Sequence, residues 1–233
     1  MSLITTEDQQ TIRTIFAERL DGDVTVTYFT QRESSLIVPS PECEYCAATR
    51  SLLEEVCALS DKIRLEIKDF VADAAEARVL GVTRIPAFVL RGQVRRQVRF
   101  FGIPAGYEFG SLIEALIDAS TGTTDLTEKT RRVLATLDHD LHLQVFVTPT
   151  CPYCPQAVRL AHKLAVENAH VIADAVEATE FPELANRYQV YGVPKTVVNE
   201  DLQFEGALPE ARLIEELFGA LAPDIQVVSA GRV

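Results

Sequence analysis

One tetrapeptide pattern occurs twice in the 233 residues, and its repetition constrains the fold more than any other feature. Cys43-Glu44-Tyr45-Cys46 and Cys151-Pro152-Tyr153-Cys154 lie 108 residues apart, and a proline follows each first cysteine by 43 residues, at Pro86 and Pro194. Pro41 and Pro149 stand two residues before each pair. Leu20-Asp21-Gly22-Asp23-Val24 matches Leu137-Asp138-His139-Asp140-Leu141, and Leu112-Ile113-Glu114-Ala115-Leu116 matches Leu213-Ile214-Glu215-Glu216-Leu217. The offset drifts from 117 to 108 to 101, so the first copy carries about nine extra residues between Val24 and Cys43 and about seven between Pro86 and Leu112. A repeat of roughly 115 residues means two domains and not a solenoid, whose repeats run ~20–50 residues. The expected units are 1–119 and 120–233, divided in the Thr-, Gly- and Asp-rich stretch STGTTDLTEKT.

Each copy reads in the same order. A helix (about 6–19; 126–137) precedes a strand rich in β-branched and aromatic residues, DVTVTYFT or LHLQVFV. The cysteine pair then opens a helix. A second strand (IRLEI; HVIADAV), a short helix (about 72–80; 182–188), a strand after the proline, a hairpin ending at Gly102 or Gly206 and a last helix (about 107–118; 209–221) complete the unit. Alternating strands and helices predict an α/β fold: two tandem units, each a mixed central sheet flanked by helices. LIVP at 36–39 is an alternative strand before Cys43. The Asp-x-Asp match favours VTVTYFT and leaves 31–42 as an elaborated loop beside the first site.

Apolar residues make up 47% and charged residues 24%, ordinary values that exclude disorder and fibrous structure. No apolar run approaches the ~20 residues that a spanning helix needs. The start reads as an amphipathic helix, with Ile12, Ile15, Phe16 and Leu20 at helical spacing, and not as an export signal. A net charge of −12 argues against nucleic acid or an anionic membrane as partner. The densest basic group, Arg91, Arg95, Arg96 and Arg99, reads as a solvated edge hairpin. The absence of an export signal implies a reducing, cytoplasmic compartment. There structural disulfides are rare, and Cys-x-x-Cys reads as metal binding or redox catalysis.

The spacing suits exchange chemistry. The nucleophile is the thiolate, and the free N–H groups and dipole of a helix N-terminus favour it. Cys43 and Cys151 are therefore the expected attacking sulfurs. Cys46 and Cys154, one turn along the same face, would resolve the mixed disulfide. No metal or organic cofactor is needed. Pro152 suits a first helical position. Glu44 places a carboxylate beside Cys43, and at ~7 Å the repulsion is worth about 1 kcal/mol, or about one pKa unit. Cys151 is thus expected to be the more reactive thiol. A metal-binding module is the rival reading, opposed by the wide separation of the pairs and by the proline that follows each. Cys57 has Ala165 as its counterpart and reads as a buried apolar side chain. The four histidines show no paired ligand spacing, and His139 and His142, flanking a strand start, read as surface residues. Tyr45 and Tyr153 either pack over the disulfide or meet the substrate. Glu177 and Asp69 follow the second strands, as solvated helix starts or as proton relays for the resolving cysteines.

Cys-x-x-Cys opening a helix, with x-Pro some forty residues later before a hairpin, resembles the thioredoxin/glutaredoxin superfamily. TPTCPYC in the second copy and FGIPAGYEF closing the first resemble the glutaredoxin-like protein disulfide oxidoreductases over essentially the whole chain. The resemblance implies two closely joined thioredoxin folds and cis bonds at Ile85-Pro86 and Val193-Pro194. It also implies that Ile85, Pro86, Val193 and Pro194 face the sulfurs and that the backbones of Ile85 and Val193 pair with substrate. The implied activity is reduction, formation or isomerisation of protein disulfides, with a flavin-containing, NADPH-linked reductase as donor. A dedicated electron-transfer module for a peroxiredoxin is the narrower alternative. The chain departs from the family in the longer stretch QRESSLIVPSPE before Cys43.

Overall fold

The computed structural model describes residues 3–31 and 43–221. The LIVP alternative and the elaborated loop, apart from Gln31 at its start, lie outside the described residues. The element order is α1(Thr6–Arg19), β1(Val24–Thr30), α2(Cys46–Cys57), β2(Ile63–Asp69), α3(Ala74–Val79), β3(Ala87–Arg91), β4(Val98–Phe101) and α4(Glu108–Thr121). It continues with α5(Glu128–Leu134), β5(Leu141–Val147), α6(Cys154–Glu167), β6(Val171–Glu177), α7(Pro182–Arg187), β7(Lys195–Val198), β8(Leu202–Glu205) and α8(Glu210–Leu221). Local chemistry starts the leading helices alike. The Thr5 hydroxyl accepts the Asp8 N–H before α1, and Thr127 accepts the Thr130 N–H before α5. No helix among the described residues is long and apolar enough to cross a membrane.

The strands form one sheet in the order β2-β1-β3-β4-β6-β5-β7-β8. Within each half the first strand pairs parallel with the second and antiparallel with the strand after the proline. Each hairpin ends on a left-handed glycine whose N–H returns to the proline carbonyl: Gly102 to Pro86 and Gly206 to Pro194, both at 2.8 Å. Helices cover both faces. The larger apolar core, with α1, α2, α4, α6 and α8, runs through both halves, and α3 and α7 cover a smaller core on the other face.

The halves join through parallel pairing of β4 with β6, in the register Val98↔Ala173 to Phe101↔Val176. Alongside, α4 packs on α6. Small buried residues recur every four positions in both helices, Ser111, Ala115 and Ala119 in one and Ala157, Ala161 and Ala165 in the other, which permits close approach. The division expected at 119/120 falls in the last turn of α4, which ends at the left-handed Gly122.

This junction corrects the reading of the arginine-rich hairpin as a solvated edge. β4 is an interior strand, and Arg99 is only 5% exposed. Its Nε and Nη2 donate to Asp174 at 2.6 and 3.0 Å, and its Nη1 donates to the Leu80 and Gly81 carbonyls. Burial pushes the Asp174 carboxyl up, but Arg99 and His142 outweigh it and hold the group below the usual range. His142, expected at the surface, is half-buried, with Nε2 2.6 Å from Asp174. Periodicity within one copy shows an edge strand; only the other copy reveals what covers it. Arg91 and Arg96 do reach solvent, paired with Glu66 and Asp140.

Candidate active site

Both cysteine pairs sit where a strand ends and a helix begins. In the second half α6 starts at Cys154, so Pro152 lies in the preceding turn and Pro155 occupies the first helical turn. This shifts the expected role of Pro152 by one turn, to Pro155, and the Cys154 N–H donates to Cys151 Sγ at 3.1 Å. That contact favours a thiolate at Cys151. Cys151 and Cys154 form a disulfide with Cα atoms 5.5 Å apart. Cys154 is fully buried, and Cys151 keeps an 8% exposed face. The carbonyl of Val193 lies 3.7 Å from Cys151 Sγ, and the Val193-Pro194 bond is cis.

The first pair is similar but not equal. Cys43 and Cys46 form a disulfide with Cα atoms 5.4 Å apart. Cys43 is half-exposed and Cys46 buried. The Cys46 N–H turns to the Cys43 carbonyl at 3.3 Å, and the Cys43 N–H donates to Gln31 Oε1 at 2.8 Å. The buried Tyr28 hydroxyl donates to the Cys46 carbonyl at 2.7 Å, and burial pushes that phenol up to about 12. Ile85-Pro86 is also cis. Cys43, Gln31, Asp69 and Ile85 line a cleft of about 780 Å³ whose far wall, Glu180 to Leu184, comes from the second half.

The remaining sequence candidates are placed as follows. Tyr45 and Tyr153 are 37% and 69% exposed, so neither is buried over its disulfide. Asp69 accepts the Val71 and Ala72 N–H groups while lining the first cleft. The Glu177 carboxylate is buried and closes its own turn on Thr179 and the Glu180 N–H. Cys57 is buried, and desolvation pushes its thiol up to about 12. Among the described residues no three His, Cys, Asp or Glu side chains converge to hold a metal.

Several residues near these sites are not singled out by their own chemistry, although Tyr107 and Glu108 lie in the FGIPAGYEF stretch that closes the first copy. Glu108, 3% exposed in the first turn of α4, has both carboxylate oxygens buried with only the Ser111 hydroxyl to oppose their desolvation, which pushes the group up to about 7. An acid there reads as ordinary helix-start chemistry; only the packing of α4 buries it. Tyr107 and Tyr191 are 56% and 89% exposed. The Tyr107 N–H donates to the Pro149 carbonyl at 3.0 Å, and Tyr191 lies two residues before Val193. With Tyr153 they bring three exposed aromatic rings to the segments around the second disulfide.

Comparison with known proteins agrees with this geometry. Residues 141–219 match the thioredoxin-domain family. A protein disulfide oxidoreductase from Aeropyrum pernix K1 superposes with a TM-score of 0.82 at 28% identity, covering 96% of each chain. The NTD_N/C domain of the alkyl hydroperoxide reductase AhpF from Enterococcus faecalis superposes with a TM-score of 0.80 at 25% identity, covering 92% of this chain and 99% of that one. By sequence, the AhpF protein of Pseudomonas aeruginosa is 25% identical over 181 residues, 77% of this chain and 33% of the relative. The chain spans about a third of the length of the curated relatives it matches.

Proposed function

We propose that the chain is a thioredoxin-superfamily thiol–disulfide oxidoreductase that reduces, forms or isomerises disulfides in proteins, with Cys151 as its more reactive sulfur. The observation that carries this reading is the Cys154 N–H held 3.1 Å from Cys151 Sγ, for which the first pair has no counterpart. Reduced Cys151 attacks a substrate disulfide, forms a mixed disulfide and releases one substrate thiolate. Cys154 then loses its proton and attacks Cys151 Sγ. The second substrate thiol leaves, and the internal disulfide closes. Two electrons pass from the dithiol to the substrate. The Val193 carbonyl beside Cys151 offers an extended substrate backbone a hydrogen-bond acceptor.

The proton of Cys154 needs an acceptor, and Glu108 fits. Glu114 of α4 bonds Arg159 of α6, and Asp118 feels both Arg159 and Lys163, so the helices run parallel in step. Continued toward the N-termini, that register carries the first turn of α4, with Glu108, toward the Tyr153-Cys154 end of α6. A buried carboxyl titrating near 7 is matched to moving a thiol proton at neutral pH.

The substrates in this reading are protein disulfides, and a flavin-containing, NADPH-linked reductase in the cytoplasm restores the dithiols. A narrower reading, electron delivery to a peroxiredoxin, is favoured by the relatives named as alkyl hydroperoxide reductase. The metal-binding alternative has no ligand set among the described residues. The test is insulin reduction driven by dithiothreitol. A Cys151→Ser, Cys154→Ser variant is expected to lose about tenfold or more in rate; retention of full activity overturns the assignment. Turnover with a peroxiredoxin and none with insulin selects the narrower reading.

A further inference from the structure

The first cysteine pair has a half-exposed sulfur beside a carboxylate, Glu44, and its own half lends the cleft one acid, Asp69, which is engaged in capping the loop after β2. The opposite wall supplies another. Glu180 follows β6 in the second half and projects into the same cleft as Cys43. Its Oε1 accepts the Ile103 N–H at 2.6 Å, while its Oε2 is buried without a partner. The approach is close: a Cβ added at Gly102 would stand 2.9 Å from Glu180 Oε1 and 2.6 Å from Glu177 Cβ, and Gly102 also has φ 93°. Glu180 therefore takes up a side chain's volume at the seam between the halves, with one carboxylate oxygen held by the Ile103 N–H and the other buried and unpartnered among the described residues.

We propose that Glu180, contributed by the second half, is the proton acceptor and donor for the Cys43–Cys46 pair across the cleft they share. The proposal rests on the reading of that pair as a working dithiol. In the forward direction the Cys43 thiol gives its proton to the Glu180 carboxylate as its sulfur attacks the substrate disulfide, and the mixed disulfide forms as one substrate thiolate leaves. That thiolate takes the proton back from Glu180. Cys46 then loses its proton to the freed carboxylate and displaces the second substrate thiolate, which is protonated in turn. One dithiol becomes a disulfide, one substrate disulfide becomes two thiols, and two electrons cross.

The surroundings of Glu180 suit the role. Glu177 faces it from the end of β6, Glu44 and Tyr45 from the turn before α2, and Tyr28 from β1, while Asp69, Arg84 and Glu183 line the same cleft. Arg84 lies over the Phe181 ring. Desolvation first, and then the like charges of Glu177 and Glu44, push the Glu180 carboxyl up to about 7, against the pull of the Ile103 N–H. A group there holds and releases a proton at neutral pH. The 108-residue offset gives Ala72 in the first half, so Glu180 has no acidic counterpart at that position, and the acid proposed for the second pair, Glu108, comes from a different element.

The experiment uses the full chain with Cys151→Ser and Cys154→Ser, so that only the first pair turns over. The rate of insulin reduction is followed from pH 5.5 to 9.5. The parent is expected to show an inflection near 7. Glu180→Gln, which keeps an acceptor for the Ile103 N–H, is expected to lose that inflection and about tenfold or more in rate at pH 7. Glu44→Gln, at an exposed position, is expected to keep the inflection and move it to lower pH. An unchanged profile in Glu180→Gln overturns the proposal, and so does a faster rate, which would make Glu180 only a repelling charge. An inactive parent overturns the reading of the first pair as a dithiol centre, and the proposal with it.

Discussion

Two sulfurs in near-identical turns differ in what faces them. Cys151 Sγ receives the Cys154 N–H at 3.1 Å, whereas the corresponding N–H of Cys46 is spent on a carbonyl and Glu44 stands next to Cys43. Cys151 should therefore hold the larger thiolate fraction at pH 7, by about one pKa unit. Iodoacetamide alkylation of the reduced protein, followed by peptide mass spectrometry across pH, should show Cys151 reacting first; equal rates contradict this. Glu108 gives a second residue-scale prediction. Folding raises its carboxyl from 4.5 to about 7, so the native chain keeps a proton that the unfolded chain loses between those pH values. Stability falls as pH rises through that window, and the deficit is complete above 7. Glu108→Gln should stabilise the protein at pH 8 by roughly 1–3 kcal/mol, leave stability at pH 4 nearly unchanged and slow turnover by the second pair. Urea unfolding at both pH values, with insulin reduction alongside, checks this.

Most elements were legible because each copy reads the other. The second strands, the short helices and the proline hairpins fall within a few residues of their expected bounds, since β-branched runs and breakers mark them locally. The helices at both sites start at the resolving cysteine and not at the attacking one, because the intervening residues close a turn first: the Cys46 N–H meets the Cys43 carbonyl and the Cys154 N–H meets Cys151 Sγ. The exposed aromatics have no local signature, because nothing in a segment such as Gln189-Val190-Tyr191-Gly192 says which way a ring points. Tyr191, 89% exposed just before Val193, is a surface on which a protein substrate can rest. Tyr191→Ala should raise KM for insulin about threefold to tenfold while leaving the rate with 2-hydroxyethyl disulfide within about twofold. Equal losses on both substrates contradict a docking role.

The halves make one molecule through a seam that no local pattern announces. The order of elements in each copy places a second strand at HVIADAV and a hairpin ending at Gly102, but the parallel pairing of β4 with β6 needs two edges more than seventy residues apart, and Arg99 looks like solvated charge for the same reason. The Arg99–Asp174 pair is buried and fully hydrogen-bonded, so removing one partner strands the other charge. Arg99→Leu should cost about 3–5 kcal/mol in urea unfolding, and the wild-type transition should be single, because one core crosses the seam. Glu180 lies on that seam and Glu108 close to it, on the α4 face packed against α6, so the active sites and the joint depend on each other. The central claim is that Cys151 carries substrate sulfur while Cys154 releases it. Cys154→Ser incubated with an oxidised protein substrate, then digested without reductant, should yield a mixed disulfide through Cys151. An adduct only at Cys43 or Cys57, or none while wild type turns the same substrate over, contradicts it.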